Sequence, residues 1–136
     1  MTTASAALHA DTAATAWLAA FDEALTRKDV DAAAALFCDD GHLRDLLALT
    51  WQIRTVSGRA AITSLLHEAL PSFQPRGFRV MPGRIPPRVA MRAGVDVVEA
   101  IVEFQTAFGT GHAVLRLKAD AGGPGGVRAW ILLTSL

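Results

Sequence analysis

The sequence predicts an α+β fold, because its first half is helical in pattern and its second half consists of strand-length apolar runs. Three helical segments lie in the first half, and glycine-containing turns separate the last three strands. A length of 136 residues suits one domain. We expect residues 1–10 to be a flexible tail and residues 11–136 to form a single domain.

The helical segments are identified by the spacing of their apolar residues and by the residues that bound them. Residues 11–28 predict the first helix, and residues 31–37 predict a short second one. After the second helix, Gly41 suits a turn that requires a positive φ. The third helix is expected to end at Pro71, because proline disrupts a helix interior.

The strand segments follow from alternation and from the positions of proline. Residues 42–55 are interpreted as two short strands, or as a strand and a loop. Residues 71–92 contain five of the six prolines, so segments 78–81 and 88–91 can only be edge strands. Residues 95–108, 112–119 and 127–136 predict an antiparallel meander.

Apolar residues occupy both faces of the predicted meander. In the last strand, Trp130, Leu132 and Thr134 are expected on one face, and Ile131 and Leu133 on the other. A sheet with one solvated face would alternate apolar and polar residues. Because the helices cover only one face, we expect a homodimer that forms through the other.

Composition excludes several classes of function. Thirteen basic and thirteen acidic residues leave no net charge, and no basic cluster indicates nucleic-acid binding. One cysteine and four scattered histidines show no metal-ligand spacing. No signal segment or membrane-length apolar run is present, so we expect a cytoplasmic protein. The glycine-rich stretch at 122–126 lies between two predicted strands, which indicates a turn, and no cofactor is expected.

Five segments resemble one protein family. They are WLAAF at 17–21, DAAAALF at 31–37, RDLLALTW at 44–51, TVSGRAAI at 55–62 and RAWILLT at 128–134. Together they resemble the NTF2-like superfamily, also called SnoaL-like or ketosteroid-isomerase-like. Within it, they are most similar to the N-terminal NTF2-like domain of flavin-containing monooxygenase-like proteins.

The resemblance implies a cone, with three N-terminal helices packed in the concave face of a strongly bent, mostly antiparallel sheet. It also implies an apolar small-molecule pocket inside the cone and dimerisation through the outer face of the sheet. A flavoenzyme is a further partner that the resemblance suggests.

Asp45 is the first candidate for chemistry, because it resembles in position the general-base aspartate of ketosteroid isomerases. Next to Leu46 and other apolar residues its carboxylate would lose solvation, which is one way proteins prepare a base. Alternatively, Asp45 is structural and ties the mouth of the cone together. Steroid isomerisation is not expected, because the sequence contains no tyrosine to complete the oxyanion hole of those enzymes. His42 and His112 are candidate acid–base partners, or else simply exposed strand ends.

Aromatic residues supply most of the candidate ligand site, and ordinary core packing is the alternative for these aromatic residues. The predicted ligand-binding residues are Trp17, Phe21, Trp51, Glu103, Phe104 and Trp130. Glu99 and Glu103 share one face of their strand. They either point into the apolar interior or pair outward with Arg116 or Lys118.

Two hypotheses of function follow. The first is a ligand-binding or accessory domain with an apolar small-molecule pocket. The second is a cofactor-independent isomerase, dehydratase or cyclase that uses Asp45 as general base.

Overall fold

The computed structural model describes residues 3–136, with side chains described from His9 onward. Within the described residues, three α-helices and a one-turn 3-10 helix (Pro124–Gly126) accompany a seven-stranded mixed sheet, which confirms the α+β prediction. The helices are α1 (Thr3–Thr26), α2 (Val30–Ala35) and α3 (Arg59–Phe73). The strands are β1 (Phe37–Leu46), β2 (Ile53–Ser57), β3 (Arg76–Val80), β4 (Arg88–Arg92), β5 (Val95–Thr106), β6 (Gly109–Ala119) and β7 (Val127–Ser135).

The strands follow the order β2-β1-β7-β6-β5-β3, and β4 also pairs with β5. The antiparallel meander of β5, β6 and β7 is confirmed, whereas β1 runs parallel to β7. β3 and β4 lie end to end along the same side of β5 and have no further neighbour, so they are the predicted edge strands.

The first helix is longer than its apolar pattern predicts. It begins at Thr3, eight residues before the predicted start, and Ala10 is already fully buried. Of the predicted flexible tail, residues 3–10 are therefore helical, and residues 1–2 lie outside the described residues.

Pro71 does not end the third helix, contrary to the sequence prediction. α3 continues to Phe73 and closes at Gln74, which adopts a left-handed φ of 49°. Pro71 lies in the last turn, where the lost N–H deprives only the carbonyl of His67 of its helical partner. That position makes the proline tolerable.

Gly41 is required for close packing and not for a positive φ. It lies inside β1, and its φ is not among the positive values of the described residues. A Cβ atom there would come within 2.9 Å of the Cys38 carbonyl oxygen and 3.1 Å of that of Ala129. The predicted turn at this position is therefore wrong, and the glycine instead lets two backbones approach.

The helices and one face of the sheet bury a common core. Trp17, Phe21, Phe37 and Phe104 are its largest aromatic residues, and each is almost completely buried. The indole Nε1 of Trp17 donates to the Leu36 carbonyl at 2.9 Å, so its polar atom is satisfied in the core.

The opposite face of the sheet, which we call the outer face, is arranged in three rows of neighbouring residues. Leu133, Val114 and Ile101 are aligned across β7, β6 and β5, and each is half-buried. The row on one side contains Ile131, Arg116 and Glu99, and the row on the other contains Ser135, His112 and Glu103. An apolar row thus runs between two rows that are mainly polar.

Trp130 lies on the outer face, so its predicted direction is wrong. The pairing of β6 with β7 shifts between Arg116 and Leu117, which leaves Trp130 as an extra residue. Ala129 and Leu132 are consequently both buried, and Trp130 and Ile131 are both half-buried.

Among residues 3–136, no helix has both the length and the apolar character that a membrane span needs.

Candidate functional site

Asp45 is fully buried and accepts five hydrogen bonds. Its Oδ1 atom accepts from the backbone N–H groups of Ala48 and Leu49, at 3.1 and 2.9 Å, and from the Thr134 hydroxyl at 2.7 Å. Its Oδ2 atom accepts from the N–H and the hydroxyl of Thr50, at 2.7 and 2.9 Å. The carboxylate therefore fixes the loop between β1 and β2 and ties it to β7.

This arrangement has a chemical consequence for Asp45. A carboxylate offers about four lone-pair positions, and five donors already converge on this one. A general base needs a lone pair within reach of the substrate proton. The geometry favours the structural interpretation, in which Asp45 holds the loop between β1 and β2 against β7. The role of Asp45 as a base stays a hypothesis.

Three predicted ligand-binding residues, Trp17, Phe21 and Phe104, pack in the core. The ring centroids of Trp17 and Phe21 are 4.8 Å apart, and those of Phe104 and Phe78 are 4.5 Å apart. Neither the cleft beside Trp51 nor the one between the ends of α1 and α3, both described below, is lined by these three rings. Their contacts are those of a packed interior.

Trp51 is different, because 60% of it is exposed. It lies on the loop that Asp45 fixes, and its ring centroid is 4.8 Å from those of both Phe73 and Phe108. Phe73 belongs to the last turn of α3, and Phe108 to the turn between β5 and β6. Three separate parts of the chain thus build one aromatic cluster, which we call the mouth cluster (Trp51, Phe73 and Phe108).

A cleft of about 280 Å³ adjoins the mouth cluster. Besides Trp51 and Phe73 it is lined by Leu49, Thr50, Gln52, Glu68 and Ser72. The Glu68 carboxylate is paired with the guanidinium of Arg54 at 2.7 Å. We call this the mouth cleft; it combines aromatic surface with hydroxyl and amide groups and one neutralised carboxylate.

The other predicted site residues lie away from the mouth cleft, on the outer face. His42 contacts the Ser57 hydroxyl through Nδ1 at 2.7 Å, and Glu103 is paired with Arg79. The Nζ atom of Lys118 lies 4.3 Å from the centre of the Trp130 ring. His42 and Asp45, the two catalytic candidates, therefore occupy opposite faces of β1.

Glu99 points to the outer face of the sheet, as Glu103 does. Its side chain is 12% exposed on the outer face and is paired with Arg88, Arg92 and Arg116, at 3.3, 3.0 and 2.8 Å. Burial alone would raise the pKa of this carboxyl. Hydrogen bonds from Arg116 and Arg92, together with their charges, outweigh burial and lower the pKa. The outward alternative is the one the structure adopts.

Cys38 is the one cysteine, and it is half-buried in β1. Burial raises the pKa of its thiol, and the negative charge of Asp40 raises it further. Among residues 3–136, no three His, Cys, Asp or Glu side chains are grouped so as to hold a metal ion.

Sequence reasoning did not find the partners of Trp51. Phe73 falls in the proline-rich stretch beyond the predicted helix end at Pro71, and Phe108 falls at the end of a predicted strand, so no local pattern brings the two residues together. Asp45, by contrast, is singled out from the sequence alone, because its position resembles that of the general-base aspartate of ketosteroid isomerases.

No protein-family model matches the chain, and no curated protein matches its sequence. Solved structures resemble it in fold. An NTF2-like protein with a cystatin-like fold from Novosphingobium aromaticivorans is 20% identical, with a TM-score of 0.57 over 95% of this chain and 82% of that one.

Two further structures show the range of proteins that share the architecture. A ketosteroid isomerase-like protein from Erwinia carotovora atroseptica is 16% identical, with a TM-score of 0.58 over 88% of this chain and 90% of that one. The orange carotenoid protein of Anabaena, which binds canthaxanthin, is also 16% identical, with a TM-score of 0.55 over 88% of this chain and 35% of that one. None of these three is a flavin-containing monooxygenase-like protein, so that closer resemblance stays a prediction. At these identities the similarity establishes the architecture: the chain has the NTF2-like, cystatin-like fold.

Proposed function

We propose that the protein is a homodimeric ligand-binding or accessory domain whose small-molecule site is the mouth cleft. The observation that carries the proposal is the exposure of Trp51 on a loop that Asp45 holds with buried hydrogen bonds. A large aromatic side chain on a rigid loop loses little conformational entropy when a ligand stacks on it.

The chemistry of the mouth cleft favours a planar, apolar and uncharged ligand. Trp51 lines the cleft, and the exposed ring of Phe108 lies against it, so the mouth cluster offers aromatic surface on which flat apolar molecules stack well. Glu68 is already neutralised by Arg54, so the cleft does not select a charged group. The exposed Ser72 supplies a hydroxyl that can orient one polar substituent. The carotenoid that the Anabaena protein binds is an apolar molecule held by a protein with a domain of similar fold.

Nile red, an uncharged planar dye, is a suitable probe for this site. We expect it to bind with a rise in its fluorescence, and we expect Trp51→Ala to weaken binding about tenfold or more, because a stacked ring is lost. Met91→Ala is the matched control, since Met91 is an exposed apolar residue of the edge strand β4. Its affinity for the dye should equal that of the wild type.

Equal affinities for wild type, Trp51→Ala and Met91→Ala would overturn the proposed site. Phe108→Ala is a second variant of the mouth cluster that leaves the Asp45 loop intact. It should also weaken binding, and its thermal unfolding shows whether the protein remains folded.

An enzymatic role is the second candidate, and one contact favours it. Thr50 lines the mouth cleft and donates its hydroxyl to Asp45, so a proton path from the cleft to the carboxylate is one contact long. In a cofactor-independent isomerase, dehydratase or cyclase, Asp45 would act as the base. With any substrate that is turned over, Asp45→Asn should abolish turnover, whereas Thr134→Val, which keeps the carboxylate and removes one of its donors, should retain it; unchanged turnover of Asp45→Asn would exclude Asp45 as the base.

A further inference from the structure

A second cleft lies on the other side of the last turn of α3, between the ends of α1 and α3. Its volume is about 340 Å³, larger than that of the mouth cleft. Leu25 of α1, Leu70 and Pro71 of α3, and Pro75 before β3 supply its apolar walls. We call it the helix-end cleft.

Two cationic side chains line the helix-end cleft, namely Lys28 and Arg76. Among the ion pairs of the described residues, neither has a carboxylate partner. Arg76 donates from Nη1 to the carbonyl of Gln74 at 2.8 Å, which places its guanidinium beside the cleft. The nearby Asp22 uses its Oδ1 atom to accept from the N–H groups of Gly77 and Phe78.

Helix C-termini carry a partial negative charge that would oppose an anion, but the carbonyls here are largely occupied. At the end of α1, the carbonyls of Glu23, Ala24 and Leu25 accept backbone N–H groups at 3.0, 2.9 and 3.0 Å. At the end of α3, the Leu70 carbonyl accepts from Gln74 at 3.2 Å. Lys28 and Arg76 are therefore the charged side chains that line the cleft, and both are cationic.

We propose that the helix-end cleft binds an amphiphilic carboxylate of the free medium-chain fatty acid type. The alkyl chain lies against Leu25, Leu70 and the two prolines, and the carboxylate pairs with Lys28 and Arg76. This site is separate from the mouth cleft, because the two share no lining residue and differ in the charge they select.

The test compares two probes with the same chain length, decanoate and decan-1-ol, by isothermal titration calorimetry. We expect decanoate to bind the wild type and the alcohol to bind more weakly. Arg76→Gln and Lys28→Asn should each weaken decanoate binding about tenfold and leave decanol binding unchanged, because each removes one charged hydrogen bond. Asparagine is chosen at position 28 because it tolerates the φ of 59° found there.

Arg79→Gln is the matched control, since Arg79 is paired with Glu103 on the outer face. Leu70→Ala should weaken binding of both probes by a similar factor, and Trp51→Ala should affect neither. The proposal is overturned if decanoate does not bind, if the charge variants change both probes equally, or if Trp51→Ala abolishes decanoate binding. Co-sedimentation with phosphatidylglycerol vesicles that depends on Lys28 and Arg76, without decanoate binding, would also overturn it, since the cations would then serve a lipid surface.

Discussion

Asp45 shows how a buried charge can be tolerated when every oxygen has several donors. Each of its two oxygens accepts at least two hydrogen bonds, and no water-facing surface remains. We predict that Asp45→Asn lowers the free energy of unfolding by about 3 kcal/mol, because the new NH₂ group faces at least two donors in either orientation. Urea unfolding at neutral pH measures this loss.

Thr134→Val is the control for that prediction, since it removes one of the five donors and keeps the shape of the side chain. It should cost about 1 kcal/mol. A loss for Asp45→Asn no larger than that for Thr134→Val would show that the network does not hold the loop.

Glu99 should make stability depend on pH. In the folded protein the pKa of Glu99 is lowered from its ordinary value of 4.5. The charged carboxylate therefore contributes to the free energy of unfolding above pH 4.5, and this contribution is lost as the pH falls through the lowered pKa. We predict that Glu99→Gln costs about 1–3 kcal/mol at neutral pH and progressively less in acid. Urea unfolding of the wild type and of Glu99→Gln at several values between pH 7 and pH 3 measures how the free energy of unfolding of each protein depends on pH.

The control for Glu99 is Glu23→Gln, because Glu23 is exposed and only loosely paired with Arg27 at 3.9 Å. The free energy of unfolding of Glu23→Gln should vary with pH in parallel with that of the wild type. If the Glu99→Gln curve is also parallel, the arginines around Glu99 are not what stabilises the charged form.

At the scale of elements, β5 and β6 are fitted together by a glycine opposite an aromatic ring. Gly111 faces Phe104 directly across the two strands, and a Cβ at Gly111 would lie 2.4 Å from the end of that ring. Phe104 cannot move freely, because it stacks on Phe78 at 4.5 Å. We predict that Gly111→Ala lowers the free energy of unfolding by about 1–3 kcal/mol through overpacking, measured by thermal or urea unfolding.

The exposed neighbour Thr110 provides the comparison for Gly111. Thr110→Ala should change stability by less than about 0.5 kcal/mol. Equal stability of Gly111→Ala and the wild type would mean that the Phe104 ring has room to shift.

Local patterns predicted those elements whose cause is local. Alternation and turn residues identified the meander, and the prolines identified β3 and β4 as edge strands. The direction of Trp130 was missed because its bulge depends on pairing with β6, which no period along β7 records. The sequence predicts Trp51 as a site residue but not the mouth cluster, because the contacts of Trp51 with Phe73 and Phe108 arise only from tertiary packing.

For the whole molecule, the outer face of the sheet is the surface through which we propose that two copies associate. Leu133, Val114 and Ile101 form an apolar row, with Ile131 at its side, and mainly polar rows flank it. Protein interfaces commonly combine an apolar centre with a polar rim. In a two-fold dimer the same row would meet its own copy, so one substitution alters the interface twice.

We therefore predict that Leu133→Arg converts a dimer into a monomer, because two unpaired guanidinium groups would be brought together in an apolar contact. Sedimentation equilibrium of wild type and variant measures the change in mass. Met91→Arg is the matched control, since Met91 is exposed on β4 and lies outside the row, and it should leave the dimer intact. A wild type that sediments as a monomer, or a Leu133→Arg variant that sediments as a dimer, would mean that the apolar row is not the dimer interface. Leu133 points to the opposite face of the sheet from its neighbour Thr134, which contacts Asp45. Leu133→Arg should therefore leave Nile red binding at the mouth cleft unchanged, and this result would separate dimer formation from ligand binding.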